Sequence, residues 1–168
     1  MANIFPVRDV EFRISTRGAA PINDNCFRAI GGMESFAVTF DNGIDEWNPL
    51  DQGGWARRMV TTKSLSISLA GKRVMDCDGN NYVSGLAFRN GEGTNSVLQV
   101  NFPDGGFLQM DCVVNVTACG GGGASDVAVL EFDCLSNGRP FYRRGGTVIT
   151  NLSEGIALSE GVALDVSN

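Results

Sequence analysis

The chain has 168 residues, a formal charge of −6 and a pI near 4.6, which is long enough to bury one core and excludes the basic stripe that a nucleic-acid-binding surface uses to neutralise phosphates. It contains no histidine, which excludes the commonest general base, the Ser-His and Cys-His nucleophile pairs and histidine metal sites. Its 22 glycines cluster between alternating segments, the pattern of an all-β chain with many turns.

The cysteines Cys26, Cys77, Cys112, Cys119 and Cys134 are odd in number and form no C-x-x-C. They read as reduced residues, with Cys112 and Cys134 inside apolar alternations, rather than as a metal or disulfide set. No cofactor and no metal are expected. No basic segment followed by an apolar run opens the sequence, and no apolar run approaches the roughly 20 residues that span a bilayer. Folding in a cytoplasm, with no membrane partner, is the expectation.

Val10 to Thr16 reads as a first strand with Val10, Phe12 and Ile14 on one face; successive side chains leave opposite faces of a strand. Residues 17–32 mix turn residues with a short apolar cluster and read as a loop. Met33 to Phe40 alternates Phe36, Val38 and Phe40 against Ser35, Ala37 and Thr39, and residues 64–69 alternate Leu65, Ile67 and Leu69 against Ser64, Ser66 and Ser68. Between these strands the sequence predicts a loop of about twenty residues, far longer than a hairpin needs and therefore expected to be functional. It holds both tryptophans, Trp47 and Trp55, with Asp41, Asp45, Glu46 and Asp51 toward its start and Arg57 and Arg58 toward its end.

Asp78 is expected to cap the one helix, in which Tyr82 with Leu86 and Val83 with Ala87 fall four apart, with Arg89 in its last turn and Asn90-Gly91 as the stop. Residues 96–102 and 107–117 form a hairpin around Pro103-Asp104-Gly105-Gly106. Its return strand sets Leu108, Met110, Cys112, Val114 and Val116 against Gln109, Asp111, Asn115 and Thr117. The run Gly120 to Gly123 lacks the Gly-Lys-Ser/Thr ending of a phosphate loop and reads as a turn. Residues 126–135 form a last strand with Leu130, Phe132 and Cys134 inward, Glu131 and Asp133 outward, and a bulge near Val129. Residues 1–142 are taken as one β-domain. Residues 143–168, acidic after Arg143-Arg144 and repeating LSEGIA as LSEGVA, are taken as a C-terminal arm or extension.

The strands share a second face of small uncharged polar residues with a few acids: Ser35, Thr39, Ser64, Ser66, Ser68, Gln99, Asn101, Gln109, Asp111 and Asn115. A weakly charged outer face and the lining of a passage are the two readings; low charge and small volume suit a lining. The segments ESFAVTFDNGIDEWNPLDQGGWARRMVTTKSLSISLAGKR, NYVSGL, FPDGG, VVNVT and LEFDCLSNGRPFY, taken in this order, resemble the major tail tube proteins of long, non-contractile-tailed bacteriophages, over about residues 9–142. The resemblance implies a β-sandwich or barrel of the phage tail tube type with one short helix and no catalytic residues. It implies six-membered rings stacked into a hollow tube in a virion tail, assembled in the host cytoplasm. The partners it implies are further copies of the chain, tape-measure, tail terminator and tail tip proteins, and genomic DNA that passes without tight binding.

A head-to-tail contact that does not close generates a filament. The loop residues Asp45, Glu46, Trp47, Asp51, Trp55, Arg57 and Arg58 are the expected inter-ring contact, since Trp and Arg are enriched at interface hot spots; capping the barrel's end is the other reading of each tryptophan. Strands 34–41, 62–71, 97–102 and 107–117 are expected to build a continuous inner barrel whose polar face lines the lumen. A terminator or joining ring protein of the head-to-tail connection is the alternative, and a carbohydrate-binding module a more distant one. An enzyme is not expected, because the adjacent Asp45 and Glu46 do not place two carboxylates across a substrate.

Overall fold

The computed structural model describes residues 5–19 and 24–145. Its strands are β1 (Glu11–Ser15), β2 (Phe27–Ala29), β3 (Met33–Trp47), β4 (Arg57–Lys72), β5 (Asn95–Asn101), β6 (Phe107–Cys119), β7 (Val129–Ser136) and β8 (Phe141–Arg143), with one α-helix among the described residues, α1 (Asp78–Leu86). All pairings are antiparallel, and the strands form one eight-stranded sheet in the order β2-β1-β5-β6-β7-β4-β3, with β8 paired to β6.

One side of the sheet is apolar in nearly every strand, and its side chains make the core: Phe12 and Ile14, Leu65, Ile67 and Leu69, Leu98 and Val100, Met110, Cys112 and Val114, then Leu130, Phe132 and Cys134. Each alternates with an outward residue, as a sheet solvated on one face requires. Phe12 of β1 meets Phe36 of β3 edge to face, with ring centroids 5.0 Å apart, although the two strands lie near opposite ends of the strand order. The sheet therefore rolls around its core. Helix α1 packs on β2, β1 and β6 and presses Val83 and Leu86 into that core.

Helix α1 is held by Asn80, which is fully buried. Its amide donates to the carbonyls of Gly31 and Lys72, and its side-chain oxygen accepts from the Val74 amide and the Arg73 guanidinium. One side chain thus joins the helix to the end of β4 and to the link between β2 and β3.

Several expectations need correcting. The connection after Phe40 is not a twenty-residue loop: β3 and β4 stay paired as far as Trp47 opposite Arg57, across an irregularity at Gly43/Ile44, and only residues 48–56 turn the chain. Val38 and Phe40 do not enter the core, because β3 is the outermost strand and runs past it; they are 42% and 65% exposed. The expected loop 17–32 contains β2. Helix α1 begins at Asp78 itself, with Cys77 at the N-cap position, and ends at Leu86, so that Arg89 lies beyond it. The irregularity near the last strand falls in β6 between Val116 and Ala118, not at Val129. Arg143 pairs with Phe107 in β8. The arm predicted from the sequence lies outside the described residues from 146 onward. All five cysteines are free, with Cys26, Cys112 and Cys134 buried.

Candidate functional site

The face of the sheet opposite the core collects every residue predicted to line a passage. Strand pairing sets them in rows: Asn115, Asp133, Ser68 and Ala37 lie side by side across β6, β7, β4 and β3. One row along stand Val113, Leu135, Ser66 and Thr39, and on the other side Ala118, Glu131, Ala70 and Ser35. Ser64 extends the face opposite Asp41. Gln99 opposite Gln109, Asn101 opposite Phe107, and Asp111 opposite Val97 carry it onto β5.

Strand alternation forces this collection: once Leu65, Ile67 and Leu69 turn inward, Ser64, Ser66 and Ser68 have only the other face. The expected continuous inner barrel is corrected in one respect. The hairpins β3–β4 and β5–β6 are not neighbours, because β7 is inserted between β4 and β6. Glu131 and Asp133, which the sequence places outward but outside the predicted lining, consequently sit in the middle of the face. Asp111 joins them, so the face is acidic as well as small. The signal that would have found them is the same alternation, Leu130, Phe132 and Cys134 being inward.

The second feature is the projecting β3–β4 hairpin. Trp47 faces Arg57 across its end, and Asp45 faces Met59. Glu46 accepts a hydrogen bond from Arg58 Nε at 2.6 Å. Two of the charges predicted for contacts between rings are thus satisfied within the chain; at 46% and 66% exposure this pair contributes about 1 kcal/mol or less. Asp51 lies in a short 3-10 turn, Leu50–Gln52, and the chain reverses through Gly53 and Gly54 with φ of 58° and 86°, a left-handed backbone that glycine adopts without strain. Beyond it Trp55 is 80% exposed, Trp47 43% and Leu50 fully exposed. The hairpin end brings together all seven predicted contact residues, and neither tryptophan caps the core.

Among the described residues no group of three or more Cys, Asp or Glu side chains is placed to hold a metal ion.

No protein-family model matches the chain, and no curated protein matches it. Solved structures do. A chain in the tail of an empty gene transfer agent particle, determined by helical refinement with C6 symmetry, superposes with a TM-score of 0.65 at 22% identity, covering 84% of this chain and 100% of that one. A chain in the virion of a native gene transfer agent particle gives 0.62 at 21% identity, with 84% and 100% covered. A chain in the tube-terminating cap of the anti-feeding prophage gives 0.50 at 13% identity, with 85% and 94% covered. The fold is therefore the rolled antiparallel sheet with one flanking helix that occurs in the tails of phage-like particles, and it extends over most of the described chain.

Proposed function

We propose that this protein is the tube subunit of a long, non-contractile phage-like tail, forming hexameric rings that stack into a hollow conduit for a genome. The observation that carries the reading is the sheet face opposite the core: four adjacent strands present mainly Ser, Thr, Ala and Asn with acidic residues, Val113 and Leu135 being the bulky exceptions. An acidic wall repels phosphate, so DNA in transit does not adhere. The likeness to a chain in a C6-symmetric tail supports the ring number and the tubular assembly.

In this reading Ser35, Thr39, Ser64, Ser66, Ser68, Gln99, Asn101, Gln109, Asp111 and Asn115 line the lumen together with Glu131 and Asp133. The hairpin end, with Trp47, Trp55, Asp45, Asp51 and Arg57, contacts the next ring. Tape-measure, terminator and tip proteins are the remaining partners, the site of action is the virion tail after assembly in the host cytoplasm, and the chain performs no catalysis. The β-domain, which runs through Arg143 at the end of β8, supplies the ring, and the chain after it an extension.

A terminator that stops at one ring is the second reading, favoured by the likeness to a tube-terminating cap. Negative-stain electron microscopy of the purified protein separates the two. Long tubes of uniform width are expected; isolated rings that never stack would replace the tube reading with the terminator.

A further inference from the structure

Given the assembly of copies proposed above, whether or not its rings stack, we propose that the apolar side of the β3–β4 hairpin seats in a groove on a second copy of the chain and sets Lys63 against that copy's Glu11. This side carries Val38, Phe40, Ile44 and Val60, which are 42%, 65%, 59% and 47% exposed. Alternation puts Val38, Phe40, Asn42 and Ile44 on the same side of β3 as Phe36, and Lys63 and Val60 of β4 lie opposite Asn42 and Ile44. The hairpin thus presents an exposed apolar stripe with one cation in its middle. Such a stripe promotes aggregation unless something covers it.

At the other end of the same strand lies a groove of about 620 Å³, between the segment that leads into β1 and the start of β3. Val10, Phe12, Ile30, Met33 and Phe36 make its lining apolar, and its carboxylates are Asp9, Glu11 and Glu34. Two of these carboxylates are matched within the chain: Arg8 stands 3.7 Å from Asp9, and Lys72 stands 3.9 Å from Glu34. Glu11 accepts a hydrogen bond from the Asn101 amide at 3.0 Å but pairs with no cation among the described residues. Lys63 likewise pairs with no carboxylate among them. An apolar stripe with one unmatched cation therefore faces an apolar groove with one unmatched anion, and complementarity of this kind fixes partner and register.

The stripe that fills a groove comes from another copy. From Phe36 to Ile44 strand β3 is paired with β4 throughout, and Ile44 stands about 27 Å along it from Phe36. A paired strand of that length does not fold back onto its own beginning. Groove and stripe are also different surfaces, so the contact is heterologous: a copy that receives a stripe still offers its own to the next one.

The test mixes isotopically light and heavy full-length protein in equal amounts before assembly, treats the assembled fraction with a carbodiimide and maps linked peptides by mass spectrometry. A Lys63–Glu11 link that joins light to heavy peptides is expected, and it should vanish in Lys63→Arg, which keeps the charge but has no amine to couple. Lys63→Glu and Glu11→Lys should each lower the assembled fraction about tenfold on sedimentation, and an equimolar mixture of the two should recover it, since each then meets the opposite charge on the other. Both side chains are exposed, so the core is untouched. Absence of the link, a link confined to peptides of one label, a Lys63 link only to other carboxylates, or no recovery in the mixture would overturn the assignment. Tubes without the light–heavy link remove this contact and leave the tube reading standing; single rings that carry the link replace the tube with the terminator and leave this contact in place.

Discussion

Asn80 illustrates how one buried amide can hold a helix in place. Its four hydrogen bonds, at 2.8 to 3.1 Å, satisfy the backbone groups of Gly31, Lys72 and Val74 together with the Arg73 guanidinium. Asn80→Ala leaves those groups buried and unpaired, and the expected cost is about 2 to 4 kcal/mol. Urea unfolding should show it as a lower midpoint at unchanged slope. Asn81→Ala, at an exposed position, should cost about 1 kcal/mol or less. The same contrast of burial governs the thiols. A hydrogen bond to Cys112 and burial hold the Cys134 thiol protonated well above its usual range, whereas Cys119 is exposed at the end of β6. Only a thiolate alkylates readily. Iodoacetamide at pH 8 is therefore expected to label Cys119 in the native protein and to reach Cys134 only after unfolding, as peptide mapping would report.

At the scale of the element, the β3–β4 hairpin combines rigidity with exposure. Paired backbone from Met33 to Trp47 makes it a stiff projection, and the Glu46–Arg58 pair near its end contributes little to folding because both partners are solvated. Trp47→Ala is expected to leave a monomer whose melting temperature is unchanged within about 2 °C, while tube formation falls at least tenfold in a sedimentation assay. Normal tube yield from that variant would remove the hairpin end from the assembly mechanism. Phe132→Ala should do the opposite. It empties a site 1% exposed in the core and costs about 3 to 5 kcal/mol, lowering the melting temperature without a specific effect on polymerisation.

At the scale of the molecule, the proposed function gives the two sides of one sheet separate tasks. The core side supplies stability, and the opposite side is free to be small, polar and acidic. Ser66→Lys places a cation in the second row of that face, beside Thr39 and Leu135. The variant is expected to fold and assemble like the wild type but to retard DNA. Particles carrying it should show a reduced titre at normal tail length by microscopy, and a wild-type titre would take the lining role away from this face.

The alternation of Leu65, Ile67 and Leu69 with serines, and the matching patterns of residues 108–116 and 130–134, determined from the sequence alone that the chain is β, which residues are core and which share the opposite face. Side-chain direction along a strand is a local property, so it is legible in one dimension. The FPDGG turn and a short helix after Cys77 were legible for the same reason. Three matters were decided only by the tertiary structure. Strand β7 entered between β4 and β6, moving Glu131 and Asp133 to the centre of the polar face. The stretch from Asp41 to Lys63 paired with itself instead of forming a loop, and Val38 and Phe40 stayed outside the core despite their inward-looking pattern. Each depends on which distant segment lies alongside, and the hydrogen bonds and buried area that settle it arise only between strands, never within one.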